Sequence, residues 1–133
     1  MKIALFPNYE KNRTEELLKK VISILENNGA EYVIHNGADA NDYSKVDLAI
    51  TVGGDGTLIK HAKAAAVSSV PCIGINTGRL GFLTNLDAEN IDMLEGIFGG
   101  KYKSESLIYE NIKQMRHNTL KIGNIAHFCN IHF

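Results

Sequence analysis

The stretch Leu48–Thr57 reads LAITVGGDGT, and it decides the fold of this 133-residue chain. It opens with an apolar, β-branched run that stops abruptly at Gly53, which is the profile of a buried strand. The residues that follow, from Thr57 to Val67, are rich in alanine and predict a helix that packs closely on a sheet. A strand, a glycine turn and a helix in succession are typical of parallel α/β sheets.

Three further apolar runs surround this unit and are predicted to be strands. They are Ile3–Phe6, Tyr32–Ile34 and Val70–Ile75. The polar, turn-rich residues 36–45 predict a loop. Strands that alternate with helices imply right-handed crossovers between parallel strands. We therefore expect the α/β class, with a doubly wound, mostly parallel sheet and flanking helices.

Two more helices are predicted from their capping residues. Asn12 is expected to cap the first, with Glu15 reaching back to it, and Gly29 is placed to end it in a left-handed conformation. Asp87 is expected to cap the second, which stops at the glycine pair that begins with Gly99. The apolar residues assigned to this second helix are Ile91, Leu94, Ile97 and Phe98.

The pattern weakens after residue 100. Leu107–Met115 is a weak strand candidate, and residues 125–133 are apolar but end without a capping or turn signal. An apolar run needs a surface to pack against. We therefore expect residues 1–100 to form the α/β domain, and residues 101–133 to be the start of an incomplete second domain or a truncated tail.

Composition and charge exclude several classes of protein. Fourteen Lys and Arg against fifteen Asp and Glu leave a net charge of −1, which gives no reason to expect a nucleic acid or an acidic membrane as partner. No apolar run approaches the roughly 18 residues of a membrane span, and the opening residues do not form a secretory signal. Cys72 and Cys129 lie outside any CxxC pattern, so no disulfide framework or zinc site is indicated. We expect a cytoplasmic protein.

The chemistry is expected at the ends of two strands, first of all at Asp55. Glycines around it let backbone N–H groups approach phosphate oxygens, and the helix N-terminus adds partial positive charge. A carboxylate there would repel a bare phosphate, so Asp55 is expected to face a hydroxyl, a metal ion or both. That combination suits phosphoryl transfer to an alcohol. The alternative is a glycine turn in which Asp55 only caps the helix.

A second loop, Asn76–Leu83 (NTGRLGFL), follows the strand that is predicted to end at Ile75. Its two glycines again allow the backbone to lie close to a ligand. Phe82 offers an aromatic face on which a purine can stack, although an apolar aromatic is more often a core residue. Arg79 either meets a phosphate or stays solvated.

Together, Gly53–Thr57 (GGDGT) and Asn76–Phe82 (NTGRLGF) resemble the N-terminal domain of the NAD kinase family, the ATP- or polyphosphate-dependent enzymes that make NADP. The opening Ile3–Asn8 also resembles the first strand of that family, and the likeness covers about residues 1–100. GGDGT alone also occurs in diacylglycerol and sphingosine kinases. Those usually continue with an Asn-Glu pair, where this chain has Leu58–Lys60, and they lack a matching NTGRLGF segment.

The resemblance implies roles for four residues. Asp55 would accept the proton of the adenosine ribose 2′-hydroxyl of NAD, and it would bind that substrate together with Gly56, Lys60 and Phe82. Gly56 would bring backbone against the dinucleotide, and Phe82 would line the adenine pocket. Lys60 would lie near the nucleotide, with a solvated helix lysine as the alternative. Mg²⁺ would accompany ATP as the divalent metal, and no protein residue is proposed as a metal ligand.

The chain also departs from the family. A second, mainly β domain, opened by an Asn-Glu pair, supplies much of the NAD pocket and the oligomer contacts in family members. Here Asn130 lies roughly where that Asn would fall, but Ile131 replaces the Glu. We therefore expect a truncated NAD kinase that is inactive alone, and a homo-oligomer for the complete enzyme. The alternatives are the catalytic lobe of a lipid kinase and a non-catalytic nucleotide-binding module.

Overall fold

The strands that the structure describes form one sheet of six, and its central four are parallel. The computed structural model describes residues 1–36, 43–101, 103–108 and 127–132. In these residues the strand order is β2-β1-β3-β4-β6-β5, where only β5 and β6 pair in antiparallel fashion. The predicted α/β class with a mostly parallel sheet is therefore confirmed. The strands are β1 (Lys2–Pro7), β2 (Glu31–Ile34), β3 (Leu48–Gly53), β4 (Cys72–Asn76), β5 (Lys103–Ile108) and β6 (His127–His132).

The first helix, α1 (Thr14–Asn27), begins differently from the prediction. Its N-cap residue is Arg13, which is left-handed at φ 66° and makes no side-chain cap hydrogen bond, so the expected capping box of Asn12 and Glu15 is wrong. The hydroxyl of the first helical threonine instead donates to the carbonyl oxygen of Asn8 at 2.7 Å. This bond closes the β1–α1 loop, and the chain turns into the helix one residue later than predicted.

The end of α1 is formed as predicted. Gly29 has φ 68° and donates its amide to the Glu26 carbonyl at 3.0 Å, while Ala30 donates to the Leu25 carbonyl at 3.0 Å. These two bonds make a Schellman motif, in which a left-handed glycine satisfies the last carbonyls of the helix.

The second helix, α2 (Asp55–Val67), begins two residues earlier than predicted, and Gly54 is its N-cap. The face that it turns to the sheet carries mostly small side chains, which lets the helix lie close to the strands beneath it. The buried residues on this face are Leu58, Ala62 and Ala65.

A 3₁₀ helix, Ile91–Ile97, replaces the α-helix predicted after Asp87. Its buried residues, among them Leu94, recur at every third position, which matches the three residues per turn of a 3₁₀ helix. Asp87 accepts hydrogen bonds from the amides of Glu89 and Asn90, and the Asn90 side chain accepts one from the Asp87 amide at 2.7 Å. Asp87 therefore caps the preceding turn and not an α-helix.

Both faces of the central strands are covered, as a doubly wound sheet requires. The α1 helix and the 3₁₀ helix pack on one face, and α2 packs on the other. The first core includes Leu5, Leu17, Val21, Ile50, Ile73 and Leu94. The second includes Ala4, Phe6, Tyr43, Ala49, Leu58 and Cys72.

The later part of the chain adds two strands to the sheet. β5 ends at Ile108, so only the first two residues of the predicted strand Leu107–Met115 lie in it, and residues 109–115 lie outside the described residues. β6 lies within the apolar stretch 125–133, and its Asn130 is in register with Cys72 of β4. The division into a domain 1–100 and a second unit from residue 101 stays a prediction.

Two smaller expectations can also be compared. Of the predicted loop 36–45, Tyr43–Lys45 form a short 3₁₀ turn and residues 37–42 lie outside the described residues. Within the part of the chain that the structure describes, no helix has the length and apolar character needed to cross a membrane.

Candidate nucleotide-binding site

The glycine turn after β3 and the loop after β4 lie side by side, because these two strands are parallel neighbours. Thr77 joins the two segments directly. Its amide and its hydroxyl both donate to the carbonyl oxygen of Gly53, at 2.8 and 3.1 Å. The two motifs identified in the sequence therefore form one edge of the sheet, at the carboxyl ends of the strands where ligands bind in this class of fold.

The carboxylate of Asp55 bridges the two motifs. Its Oδ2 accepts a hydrogen bond from the Phe82 amide at 2.9 Å, and its Oδ1 accepts from the amides of Leu83 at 3.2 Å and Thr84 at 3.1 Å. Asp55 is the first residue of α2, and because its carboxylate bonds to the second loop, the alternative that it only caps the helix is wrong. Sequence reasoning singled out Asp55 but missed its contact with the second loop.

Gly81 lies against this carboxylate, whereas the sequence predicted only that the glycines of this loop let the backbone lie close to a ligand. A Cβ atom at Gly81 would lie 2.6 Å from Cγ of Asp55, so the loop or the carboxylate would have to shift. The signal in the sequence was the second glycine of NTGRLGF. Its function here is to leave room for the Asp55 carboxylate.

Phe82 is 90% exposed, so the interpretation of this residue as part of the core is wrong. Leu80, two residues earlier, is half-exposed, and Arg79 is exposed. The next residue, Leu83, is partly buried against the core on the α2 side. The second loop therefore presents an aromatic ring and an aliphatic side chain to solvent beside Asp55.

An open cleft of about 490 Å³ lies between the β1–α1 loop and the start of α2. Two predicted site residues, Gly56 and Lys60, line it, and both are exposed. The Asn8 side-chain amide donates to the Thr57 hydroxyl at 3.1 Å and so fixes the loop against the helix. The other residues that line the cleft, none of them assigned from the sequence, are Pro7, Asn8, Tyr9, Glu10 and Thr57.

The charges around this cleft favour an anionic ligand at the helix end. The unpaired N–H groups at the start of α2 carry partial positive charge, and the Lys60 ammonium lies on the second turn of the same helix. Glu10, on the opposite wall, is acidic. A phosphate can therefore be held at Gly56 and Lys60, whereas the wall near Glu10 is suited to hydroxyl or amine groups.

An aromatic cluster supports the base of the β1–α1 loop. The ring of Phe6 stacks on His61 at 4.3 Å, on His35 at 4.9 Å and on Tyr43 at 5.2 Å between ring centroids. The Tyr43 hydroxyl and Nδ1 of His61 share a hydrogen bond of 3.0 Å. Burial, with smaller contributions from Lys60 and His35, lowers the pKa of His61 to about 4, so this ring is neutral at pH 7. The hydrogen-bonded pair of Tyr43 and His61 is therefore a neutral packing unit next to Lys60.

The described residues contain no group of three or more His, Cys, Asp or Glu side chains that could hold a metal ion. Cys72 is buried, as an apolar residue would be. The side chain of Cys129 lies outside what the structure describes.

The fold and this site define an α/β protein with a glycine turn and an aromatic loop at the carboxyl edge of a parallel sheet, which is where ligands bind in this class of fold. The comparison with known families is more specific. The family model for the ATP-NAD kinase N-terminal domain matches residues 3–102, and the chain belongs to that family.

Curated proteins named NAD kinase align with most of this chain. The NAD kinase of Caldicellulosiruptor saccharolyticus is 40% identical over 91 residues, which are 68% of this chain and 35% of that protein. The NAD kinase of Thermotoga maritima is 34% identical over 129 residues, which are 95% of this chain and 47% of that protein. The chain thus spans about a third to a half of the length of these curated relatives.

Solved structures share the fold at lower identity. An NAD kinase from Archaeoglobus fulgidus in complex with ATP has a TM-score of 0.60 at 22% identity, over 81% of this chain and 41% of that one. Yeast NADH kinase complexed with NADH has a TM-score of 0.58 at 15% identity, over 98% and 46%. A diacylglycerol kinase from Bacillus anthracis has a TM-score of 0.53 at 17% identity, over 80% and 45%. At these identities the likeness shows the fold alone.

Proposed function

We propose that this chain carries the phosphoryl-acceptor half of an NAD kinase site. The reaction transfers a phosphoryl group from ATP or polyphosphate to the adenosine ribose 2′-hydroxyl of NAD and gives NADP. The single observation that carries the proposal is the Asp55 carboxylate, held by the amides of Phe82, Leu83 and Thr84 beside an exposed aromatic ring. Membership of the ATP-NAD kinase family supports the choice of substrate.

The geometry at Asp55 suggests which atom receives the proton. An ionised carboxylate has about four lone-pair positions. Two on Oδ1 and one on Oδ2 are taken by backbone amides. The remaining position on Oδ2 is the one from which Asp55 accepts the proton of the ribose hydroxyl, while Phe82 stacks on the adenine.

The cleft beside Gly56 and Lys60 is proposed to hold phosphates. The start of α2 and the Lys60 ammonium would bind phosphate oxygens of the nucleotide substrates. Mg²⁺ that enters with ATP is held mainly by phosphates and needs only one or two carboxylates, so these residues fit it without a dedicated cage. Glu10, which lines the same cleft, is the carboxylate that would face it. When bound, Mg²⁺ neutralises charge on the phosphates.

The complete enzyme is proposed to use residues outside this chain for part of the NAD pocket. The share of its relatives that the chain covers supports this proposal. On that basis the chain alone is inactive, and its activity needs the missing part of the pocket. The homo-oligomer and the cytoplasmic location expected from the sequence remain predictions.

The lipid-kinase alternative has the shared fold in its favour, but the two loops favour the nucleotide. The similarity to a diacylglycerol kinase is 17% identity, which supports the fold only. The ring of Phe82 offers a face on which a base can stack, and the cleft at Gly56 offers a site for phosphates. A nucleotide has both groups. A non-catalytic module would show the same features without turnover.

The test is a titration of the isotopically labelled chain with NAD, in which the NMR signals of the Gly56 and Phe82 amides are monitored. We expect saturable shifts at both, and a weaker affinity in Phe82→Ala, because the stacking face is lost. Leu80→Ala is the matched control, since it removes an exposed apolar side chain from the same loop. Absence of saturable shifts, or binding of diacylglycerol micelles in place of NAD, would contradict the proposal.

A further inference from the structure

The tip of the second loop is held by hydrogen bonds and not by packing of its aromatic residue. Phe82 is 90% exposed, so its ring contributes little to fixing the loop. Its backbone and that of the next two residues are fixed through three amides that converge on the Asp55 carboxylate. Hydrogen bonds to an ionised acceptor are roughly twice as strong as those between neutral groups.

We propose that Asp55 and Gly81 form a latch that sets the position of residues 81–84, with Gly81 as a positioning residue that acts through Phe82. The latch is a property of the free chain. Only the further step, that the latched Phe82 meets a nucleotide, rests on the function proposed above.

The reason for assigning Gly81 is steric. A Cβ atom at this position would lie 2.6 Å from Cγ and 2.7 Å from Oδ2 of Asp55. The same Cβ would also overlap Oδ1, and these two oxygens, Oδ1 and Oδ2, accept the three amides. A side chain at Gly81 therefore pushes the loop and the carboxylate apart. The other glycine of the loop, Gly78, would bring its Cβ only to 3.7 Å from Oδ1 of Asn76, which is an ordinary contact.

The base of the loop is held separately, which confines the effect of the latch to its tip. The Thr84 hydroxyl accepts hydrogen bonds from the Gly81 amide at 3.0 Å and from the Asn76 side chain at 3.2 Å. The Asn76 amide donates to the Leu86 carbonyl at 2.7 Å. Opening the latch should therefore release the amides of Phe82, Leu83 and Thr84 from Asp55 and leave the strand pairing of β3 and β4 intact.

The test is residue-resolved amide hydrogen exchange on the whole 133-residue chain and its variants. In Gly81→Ala we expect exchange at Phe82, Leu83 and Thr84 to accelerate by roughly tenfold to a hundredfold, the range for losing a hydrogen bond to a charged group. Gly78→Ala, the matched control, should exchange like the unmodified chain.

A second variant, Asp55→Asn, gives a signature that general destabilisation would not. The amide group has one oxygen in place of two, so it keeps the acceptor facing Leu83 and Thr84 and loses the one facing Phe82. We expect faster exchange at Phe82 above all. This variant also serves if Gly81→Ala fails to fold.

Two outcomes would overturn the latch. One is unchanged exchange at residues 82–84 in Gly81→Ala or at Phe82 in Asp55→Asn, and the other is equal acceleration in Gly78→Ala. The exchange measurement is made without NAD, so it tests the latch separately from the proposed function. If exchange changes as expected but the chain does not bind NAD, the latch is supported and the proposed function is contradicted. If the chain binds NAD but exchange does not change, the proposed function is supported and the latch is contradicted.

Discussion

Lys60 is the cation on the α2 side of the cleft, where it faces the β1–α1 loop. We expect Lys60→Ala to weaken binding of ATP about three- to tenfold, because one charge-assisted contact to phosphate is lost. The loss should shrink at high salt, since both charges are exposed. Titration calorimetry of ATP at two salt concentrations measures it. Lys19→Ala, on the exposed face of α1, is the control, and an equal loss there would contradict the assignment.

His61 gives the fold a dependence on pH. Its pKa is lowered from 6.5 to about 4 by burial, so below pH 6.5 the unfolded chain binds a proton that the folded chain does not. The free energy of unfolding should therefore fall as the pH is lowered from 6.5 towards 4, with a slope of at most about 1.4 kcal/mol per pH unit from this group.

Urea unfolding between these pH values measures the slope. In His61→Phe the slope should decrease, because the titrating group is gone. In Tyr43→Phe it should persist, since burial and not the Tyr43 hydroxyl is the main cause of the lowered pKa. A slope that is the same in His61→Phe as in the unmodified chain would rule out this explanation.

At the scale of single residues, the sequence was informative where a role follows from local pattern. Asp55 was singled out because a glycine turn after a buried strand is a local signal, and Gly56 was assigned from the family resemblance. The hydrogen bonds that the amides of residues 82–84 donate to Asp55 were not predictable, because they depend on β3 and β4 being neighbours in the sheet. The exposure of Phe82 was missed for the same reason, since the carboxylate that holds its backbone lies in another segment.

Among the elements, α2 is the one whose position depends on small side chains. Ala65 is fully buried against the sheet, so Ala65→Leu should lower the free energy of unfolding by about 1–3 kcal/mol through overpacking. Urea unfolding measures the change. Ala66→Leu, at the neighbouring and only partly buried position, should lower the free energy of unfolding clearly less. Equal losses in the two variants would mean that close packing of α2 does not set its position.

The ends of helices were predictable where a single residue type determines them. They were not predictable where contacts with distant segments determine them. Gly29 ended α1 as predicted, because a left-handed position favours glycine. The start of α1 was shifted to Arg13 by the bond between the helix and Asn8, which no local pattern reports. The 3₁₀ helix at Ile91–Ile97 was read as an α-helix, since apolar residues at every third position fit both on a short segment.

For the whole molecule, the order of the strands creates the site. β1, β3 and β4 are adjacent and parallel, so the loops that follow them meet at one edge of the sheet. The alternation of strands and helices predicted this class of fold, but not which loops would touch. The contact of Asn8 with Thr57, and of Thr77 with Gly53, makes the three loops one surface.

The measurement that tests the central claim most directly is NADP formation by a hybrid enzyme. Residues 3–102 of this chain would replace the matching segment of the Thermotoga maritima NAD kinase, which aligns with 95% of this chain. The account predicts that the hybrid makes NADP from NAD and ATP with Mg²⁺. It also predicts that Asp55→Asn lowers kcat about a hundredfold or more, whereas Asp92→Asn, the same change at an exposed position, leaves kcat unaltered. Full activity in Asp55→Asn, or phosphorylation of diacylglycerol with NAD ignored, would contradict it.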